Sequence, residues 1–328
     1  MKILYIYRHP DMGYSIGKVF RPIEEEMKKH AEVDSIYLPV PNYSLKGLWK
    51  NIRYALKHCK KNKYDVIHIT GTEHYLLPFL QNKKTVITVH DLGFYANNKL
   101  NSRNILKYFL WIKTLPLASH VTFISEKSKN EALGLVKLKK EKFSIVMNPV
   151  GMEYVHYPKL INKQCPTILH IGTNSHKNID TTAIALKGFP CKLRIVGKLS
   201  EKQKHLLNIN NINYENVFNL TDEKILQEYI NCDIVNFPSL HEGFGMPIIE
   251  GQSIGRPVLT SNLSPMKEVA ADAAVLVNPT CPASIRKGYE TLLKDSEEYI
   301  QKGLVNIKRF SLPQITKGYL EVYNKSLL

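Results

Sequence analysis

Short apolar runs rich in Val and Ile alternate with helix-length segments along the whole chain. Most of these runs are continuous rather than alternating between apolar and polar positions, which is typical of parallel strands covered on both faces. The pattern predicts six strands in each half of the sequence, with helices between them. The predicted strands are Lys2–Tyr7, Ser35–Leu38, Asp65–Thr70, Thr85–His90, His120–Ser125, Phe143–Met147, Thr167–Gly172, Leu193–Val196, Val217–Leu220, Asp233–Phe237, Pro257–Thr260 and Ala274–Val277. Two such series predict an α/β protein with two doubly wound, Rossmann-like domains.

The stretch between the two series, residues 148–166, contains three prolines and one glycine and shows no periodicity. This composition is typical of a linker. We therefore predict an N-terminal domain over residues 1–155 and a C-terminal domain over residues 156–310. Doubly wound domains bind nucleotides at the carboxyl ends of their strands, so we expect a ligand in the crevice between the two domains.

The composition excludes a disordered or a fibrous protein, because 44% of the 328 residues are hydrophobic and 23% are charged. The formal net charge of +16 is unevenly distributed. Residues 1–160 carry 26 basic and 13 acidic side chains, whereas residues 161–328 carry 19 and 16. This excess predicts that one face of the N-terminal domain meets an anionic partner.

The segment Lys46–Lys63 contributes much of the positive charge. It is predicted to form a helix with Trp49, Ile52, Leu56 and Cys59 on one side and most of its Lys and Arg residues elsewhere. Two interpretations stay open, a solvated helix face or peripheral docking onto an anionic membrane, where each Lys or Arg contributes about 1 kcal/mol. Nucleic acid is not expected as a partner, because no nucleic-acid-binding module is visible.

The five cysteines are far apart and include no C-x-x-C pair, which favours a reduced, cytoplasmic protein over a disulfide framework or a zinc ribbon. No run of 18 apolar residues exists, and the first residues lack the pattern of a signal peptide. We therefore expect a cytoplasmic protein without a membrane-spanning helix, in which peripheral contact with the membrane is the open question.

Familiar nucleotide and metal motifs are missing. No G-x-G-x-x-G follows the first strand of either half, which argues against a dinucleotide-binding dehydrogenase. The run from Gly13 to Lys18 is one residue short of a P-loop, and Val19 stands where Ser or Thr would hold Mg²⁺. His241 does not begin an H-E-x-x-H motif, since Gly245 occupies the second His position, so no metal site is expected.

The most informative segment is F-P-S-L-H-E-G-F-G-M-P-I-I-E, which follows a buried strand and ends at Glu250. Pro247 predicts the first turn of a helix. Gly243 and Gly245 let the backbone approach a ligand, and the free N–H groups of the new helix suit a diphosphate. Glu242 and Glu250 can both accept hydrogen bonds from sugar hydroxyls. The segment therefore predicts a nucleotide-sugar site.

The run E-G-F-G-M-P-I-I-E resembles the E-x7-E signature of family 4 glycosyltransferases, which are retaining enzymes of the GT-B fold. Residues 171–178 resemble the family's V-G-x…R-K-N loop, and residues 193–198 its L-x-I-V-G-x strand. The similarity continues through residues 257–279. It is strong from about residue 143 to 323 and thin before that. The resemblance implies two Rossmann-like domains facing each other across a cleft, with residues 311–328 forming a helix that packs back on the first domain.

The resemblance also implies roles for individual residues. Glu250 would hold the ribose hydroxyls, and Glu242 would contact the transferred sugar. Lys177 would neutralise the diphosphate as it leaves, a task that a metal performs in other transferases. His90 would lie near the anomeric carbon and the acceptor. The donor would also be contacted by the backbone of Gly243, Phe244 and Gly245.

Two positions depart from the family's pattern. Thr173 stands where an Arg is common after the glycine of the donor loop, and the usual R-K pair is His176-Lys177. We therefore expect Lys198 to supply the second cation for the diphosphate. In the N-terminal half, Gly13 and Gly17 match the family's glycine loop. Further crevice loops of this half are predicted at Gly71–His74 and His90–Phe94.

By this resemblance, the chain is predicted to be a retaining, metal-independent glycosyltransferase without a bound cofactor. It would move a mannose- or glucose-type hexose from a UDP- or GDP-sugar to a glycan or glycolipid hydroxyl, as in bacterial surface polysaccharide or lipopolysaccharide synthesis. Two alternatives fit the sequence less well. A nucleotide-sugar epimerase with the same architecture would lack the E-G-F-G-x-P-x-x-E context, and a non-catalytic basic membrane- or nucleic-acid-binding module would not need both glutamates and Lys177.

Overall fold

The computed structural model describes residues 1–13, 15–92 and 102–327. The chain divides into two compact units. Unit 1 comprises Met1–Pro149 and Leu312–Leu328, and unit 2 comprises Val150–Ser311. Within the described residues, no helix has both the length and the apolar character that crossing a bilayer requires.

Unit 1 is a parallel six-stranded sheet with the order β2-β1-β3-β4-β5-β6. The strands of unit 1 are β1 Lys2–Tyr7, β2 Glu32–Tyr37, β3 Val66–Ile69, β4 Thr85–Val89, β5 His120–Phe123 and β6 Phe143–Ile145. Its α-helices are α1 Ser15–Met27, α2 Leu45–Lys61, α3 Leu77–Leu80, α4 Ser102–Lys107 and α5 Glu126–Leu133. The helix α13 Leu312–Leu327, at the end of the chain, also belongs to unit 1.

Unit 2 is a second parallel six-stranded sheet, with the order β12-β11-β10-β7-β8-β9. The strands of unit 2 are β7 Thr167–Ile171, β8 Lys192–Val196, β9 Tyr214–Val217, β10 Ile234–Phe237, β11 Val258–Ser261 and β12 Val275–Val277. Its α-helices are α6 Ile179–Leu186, α7 Glu201–Ile209, α8 Asp222–Asn231, α9 Met246–Ile254, α10 Met266–Ala270, α11 Pro282–Lys294 and α12 Ser296–Asn306. The predicted α/β class with two doubly wound sheets is therefore confirmed.

Strand β9 lies earlier in the chain than the predicted Val217–Leu220. The pattern favoured the apolar residues that follow the strand, yet Phe218 is 50% exposed. The residues that do pair with β8 are Tyr214–Val217, and each of them is only partly buried or exposed. A strand at the edge of a sheet has fewer packing neighbours, so its apolar pattern is weak.

A buried polar network anchors α13 to the sheet of unit 1. The His68 ring lies with Nδ1 2.7 Å from the Tyr323 hydroxyl and Nε2 2.8 Å from the Thr88 hydroxyl. The Tyr323 hydroxyl is also 2.8 Å from that of Tyr5. Burial lowers the pKa of His68 to about 3, so its ring is neutral at physiological pH. His68 is therefore part of the core.

Helix α2 differs from the prediction at one residue. Ile52 and Cys59 are buried as expected, whereas Trp49 is 59% exposed. The face that packs on the sheet is completed by small and amide residues instead of Trp49, namely Gly47, Asn51 and Ala55. Trp49 accordingly lies on the same face as the basic residues of the helix.

Candidate functional site

The candidate site of unit 2 is at the carboxyl edge of its sheet, where β7 and β10 are neighbours. The chain leaves β7 toward β8 on one side, while β10 continues toward β11 on the other. Loops that diverge in this way leave a crevice at which α/β proteins bind ligands. The segments that follow β7 and β10 contain Lys177, Glu242 and Glu250.

Lys177 and Glu242 form an ion pair across this crevice. Lys177 Nζ is 2.6 Å from Glu242 Oε1 and 4.7 Å from the ring centroid of Phe237. The stem of Lys177 crosses Gly172, whose φ is +92°, and a Cβ atom on this glycine would lie 2.9 Å from Lys177 Cγ and Cε. The Lys177 and Glu242 side chains are only 18% and 14% exposed. A largely buried pair of this kind holds the ammonium group at the mouth of the site.

His176 lies beside this pair, with Nε2 3.9 Å from Glu242 Oε1. Partial burial lowers the pKa of His176, although the Glu242 carboxylate acts in the opposite direction. Its imidazole is therefore mostly uncharged near pH 7. Lys177 is the residue of the His176-Lys177 pair that carries a permanent positive charge.

The loop after β10 ends at Gly245, which adopts φ +123° and precedes the first turn of α9. No side chain caps this helix, and the Ile248 N–H donates to the Gly245 carbonyl oxygen at 3.0 Å. Such a helix start attracts phosphate oxygens. Phe244 is 4% exposed and packs edge-on against Phe310 at 5.9 Å, so only the backbone of Phe244 can face a ligand.

Glu250 lies one turn inside α9 and accepts a hydrogen bond from Tyr229 on α8. The distance from Tyr229 Oη to Glu250 Oε2 is 2.5 Å. Burial, and then the Glu250 charge, raise the pKa of Tyr229 well above its ordinary value, so the phenol stays protonated and donates. The Tyr154 ring packs edge-on against Tyr229 at 5.5 Å. Tyr229 was not predicted from the sequence, because a single aromatic residue on the apolar face of a helix has the same pattern as an ordinary core residue.

Thr173 and Lys198 lie on the adjoining loops after β7 and β8. The Thr173 hydroxyl donates to the Lys198 carbonyl oxygen at 2.8 Å, which ties the two loops together. Gly197 adopts φ +135°, and a Cβ atom on it would lie 2.8 Å from Thr173 Cγ2. The Lys198 side chain is exposed. The two predicted positions are thus adjacent at the same edge of the sheet as Lys177.

The predicted residues of unit 1 lie at the carboxyl edge of its own sheet. Gly13 has φ +119° and directly follows a short 3₁₀ helix. Gly17 lies in the first turn of α1 rather than in a loop, so the prediction of a glycine loop from Gly13 to Gly17 is wrong at its second glycine. His90 Nε2 lies 2.9 Å from the Thr70 carbonyl oxygen, to which its N–H donates. Burial lowers the pKa of His90, and its Nδ1 is left as an acceptor.

Part of the predicted crevice loop His90–Phe94 lies outside the described residues, as does Tyr14. In the described part of the chain, no three His, Cys, Asp or Glu side chains are grouped so that they could hold a metal ion. The roles assigned to the individual residues remain predictions.

Comparison with known proteins gives the class. Solved structures of glycosyltransferases have the same fold over nearly the whole chain. Sucrose-phosphate synthase from Thermosynechococcus elongatus superposes with a TM-score of 0.80 at 16% identity, covering 99% of this chain and 98% of that one. Anabaena HepE, solved in complex with UDP and glucose, superposes with a TM-score of 0.73 at 16% identity, covering 98% of each chain. The chain has the GT-B fold.

The family follows from the sequence. A family model described as glycosyl transferases group 1 matches residues 156–303, and one described as glycosyltransferase family 4 matches residues 18–154. The O-antigen chain mannosyltransferase RfbU of Salmonella typhimurium is 23% identical over 262 residues, which are 76% of this chain and 69% of that protein. The chain belongs to the group 1, family 4 glycosyltransferases and is a glycosyltransferase enzyme.

Proposed function

We propose that this enzyme transfers a hexose from a nucleoside diphosphate sugar to a hydroxyl group of a glycan or glycolipid, with retention at the anomeric carbon and without a metal ion. The observation that carries the proposal is the arrangement at the carboxyl edge of the unit 2 sheet. A cation, a helix start that follows Gly243 and Gly245, and two carboxylates follow neighbouring strands there, and each suits one part of a nucleotide sugar.

The donor would use these groups as follows. Glu250, oriented by Tyr229, accepts hydrogen bonds from the ribose hydroxyls. The start of α9 and Lys177 bind the diphosphate, and Lys198 adds a second positive charge. As the bond between the anomeric carbon and the diphosphate breaks, negative charge grows on the leaving oxygen, and Lys177 stabilises it. The acceptor oxygen forms the new bond from the same face, and its proton passes to the leaving phosphate.

Glu242 would contact the hydroxyls of the transferred sugar. Because Glu242 pairs with Lys177, the diphosphate has to share this cation with the carboxylate when the donor binds. The acceptor is assigned to unit 1, where His90 Nδ1 can accept a hydrogen bond from an acceptor hydroxyl. A mannose- or glucose-type sugar is supported by the name of a mannosyltransferase relative and by a structural neighbour solved with UDP and glucose, and its carrier would be UDP or GDP. We place the reaction in the assembly of bacterial surface polysaccharide.

A thermal-unfolding panel with UDP, GDP, ADP, CMP and buffer, each with and without EDTA, tests the donor site. A ligand at 100 times its Kd adds about 2.7 kcal/mol, which raises the Tm by roughly 5–10 °C for a domain of this size. We expect one diphosphate to raise the Tm of the wild type regardless of EDTA and to leave that of Glu250→Ala unchanged. A Tm that no nucleotide alters would refute the donor site. NMR of the product formed from the matching sugar nucleotide then reports the anomeric configuration.

We also propose that unit 1 contacts an anionic membrane through the exposed face of α2. Lys46, Lys50, Arg53 and Lys57 follow one another at helical spacing on this face, and Trp49 lies among them. The helix contains no acidic residue. Exposed basic residues around a Trp are the composition that binds the interface of anionic bilayers. In this arrangement the enzyme would work at the cytoplasmic surface on a membrane-bound acceptor.

Trp49 provides the test of membrane contact. The chain has two tryptophans, and Trp111 is only 7% exposed. Vesicles containing phosphatidylglycerol should therefore shift Trp emission to the blue in the wild type and in Trp111→Phe, whereas Trp49→Phe should not respond. Vesicles of phosphatidylcholine alone should have no effect. Replacing Lys46, Lys50, Arg53 and Lys57 of α2 by Gln should abolish co-sedimentation. The control changes four exposed lysines of unit 2 to Gln (Lys187, Lys267, Lys287 and Lys294) and should leave it intact.

A further inference from the structure

The strand order of unit 1 also reverses, at β1 and β3. The chain leaves β1 toward β2 on one side, while β3 continues toward β4 on the other. Arg8 directly follows β1, and Glu73 lies in the loop that follows β3. Tyr43 comes from the loop between β2 and α2. The carboxyl edge at such a reversal is where α/β sheets bind ligands. None of these three residues has a part in the proposed chemistry of the donor.

Glu73 and Arg8 each have a buried polar atom without a partner. Glu73 is 1% exposed, and its Oε1 accepts a hydrogen bond from the Thr72 hydroxyl at 3.2 Å. Its Oε2 has no hydrogen-bond partner among the described residues, and neither has Arg8 Nε. Buried polar atoms are nearly always satisfied in folded proteins, because an unmade hydrogen bond costs the full desolvation of the group. Two such atoms at one sheet edge indicate a site that a ligand completes.

The two groups are close enough to interact electrostatically. Burial raises the pKa of Glu73 to about 7, while the positive charge of Arg8 acts in the opposite direction. A Cβ atom on Gly13 would lie 2.8 Å from Arg8 Nη2, so the glycine leaves room for the guanidinium. Because the Glu73 carboxyl group lies within electrostatic range, the Arg8 guanidinium does not form a purely cationic pocket. The pair therefore suits a neutral ligand that both donates and accepts hydrogen bonds.

Tyr43 adds an exposed aromatic ring to this pair. The ring is 41% exposed, and its hydroxyl is 3.1 Å from the Thr72 hydroxyl that bonds Glu73. It is held edge-on against Trp111 at 5.1 Å. A fixed aromatic ring binds the apolar C–H face of a sugar, while a carboxyl group and a guanidinium bind hydroxyls. The three side chains together have the chemistry of a carbohydrate subsite.

We propose that Arg8, Tyr43 and Glu73 form a subsite for the sugar ring of the acceptor, in which Glu73 accepts a hydrogen bond from an acceptor hydroxyl. The proposal rests on the proposed function, because it assigns this edge of unit 1 to the acceptor. It predicts an unusual combination of effects. Glu73→Leu removes an unsatisfied buried carboxyl group, so the variant should unfold at the same temperature as the wild type or higher and yet lose sugar binding.

Saturation-transfer NMR with the α-methyl glycosides of mannose, glucose and galactose as probes tests the subsite without any donor. We expect at least one probe to give a signal with the wild type and with Glu242→Gln, in which the donor's sugar contact is altered. The signal should fall at least tenfold in Glu73→Leu and Tyr43→Ala and be intermediate in Glu73→Gln. Tyr54→Ala is the matched control, because Tyr54 is also 41% exposed in unit 1, and it should bind normally.

A probe signal that is lost in Glu242→Gln but kept in Glu73→Leu would overturn the proposal, and so would the absence of signal with every probe. A lower Tm of Glu73→Leu together with reduced binding would also overturn it, because Glu73 would then support the fold. Failure of the proposed function is seen separately, as a wild-type Tm that no nucleotide raises.

Discussion

The hydrogen bond from Tyr229 to Glu250 can be removed by deleting one oxygen atom. In Tyr229→Phe the ring still fills its fully buried site, while Glu250 Oε2 loses a donor at 2.5 Å. If Glu250 binds the ribose, this donor fixes the orientation in which the carboxylate meets two vicinal hydroxyls. The variant should therefore bind the nucleotide more weakly without a change in fold.

The size of the effect follows from the nature of the bond. Hydrogen bonds to charged groups contribute about 1.5–3 kcal/mol. Glu250 is only half-buried, so water can replace part of the lost interaction. We expect a loss of about 1–2 kcal/mol in binding, which is roughly a 5- to 30-fold increase in Kd. Isothermal titration calorimetry with the diphosphate that stabilises the wild type measures this change.

Tyr289→Phe is the matched control for Tyr229→Phe. Tyr289 is also fully buried in unit 2 and donates a hydrogen bond to Asn236 Oδ1 at 2.8 Å. The control should lose stability but keep the nucleotide Kd of the wild type. The reasoning fails if Tyr229→Phe binds within twofold of the wild type, or if both variants lose affinity equally.

Three further predictions concern Gly251, Glu73 and Lys177. In Gly251→Ala the new Cβ would lie 2.8 Å from a valine Cγ2 atom of β10. We therefore expect the free energy of unfolding, measured in urea, to fall by about 1–2 kcal/mol. Gly318→Ala is the control, because its Cβ would lie 3.4 Å from its nearest neighbour, and it should be neutral or stabilising. Burial raises the pKa of the Glu73 carboxyl from its ordinary value of 4.5 to about 7 in the folded protein, so its contribution to stability is fully present below about pH 4.5 and is lost as the pH rises through 7. Over this window the urea-derived stability of the wild type should fall by up to about 3 kcal/mol relative to Glu73→Leu, and parallel curves would contradict the shift. Lys177→Gln should lower kcat about 100-fold in a nucleotide-release assay, while Lys187→Gln on the exposed surface should leave it unchanged.

Most of the fold could be predicted from the sequence because its strands are buried on both faces. Such strands appear as continuous apolar runs, and the central strands β1, β4 and β10 were predicted to within one residue at each end. The edge strand β9 was misplaced, since its residues are only half-covered. Trp49 was placed in the core, because hydrophobic spacing alone cannot distinguish a packed ring from one exposed among cations.

The candidate site was predictable only where it is local in sequence. Glu242 and Glu250 were predicted because they lie eight residues apart, with glycines between them and a proline at the start of the helix. Tyr229 comes from another helix and reaches Glu250 through the tertiary fold. Arg8 and Glu73 follow two strands that are far apart in the chain but adjacent in the sheet. No fixed spacing in the sequence identifies either pair, Tyr229 with Glu250 or Arg8 with Glu73.

The ligand-facing groups of the two units differ in whether they already have ion-pair or hydrogen-bond partners within the protein. In unit 2 the groups are satisfied before a donor arrives, by the ion pair of Lys177 with Glu242 and by the bond from Tyr229 to Glu250. A donor benefits because these side chains are already oriented, but its diphosphate has to compete with Glu242 for Lys177. In unit 1, Glu73 Oε2 and Arg8 Nε are buried without partners among the described residues. A buried polar atom without a hydrogen-bond partner costs about 1–3 kcal/mol. A sugar that satisfies both would recover this cost on binding, so part of the acceptor's affinity would come from replacing hydrogen bonds that the fold leaves unmade.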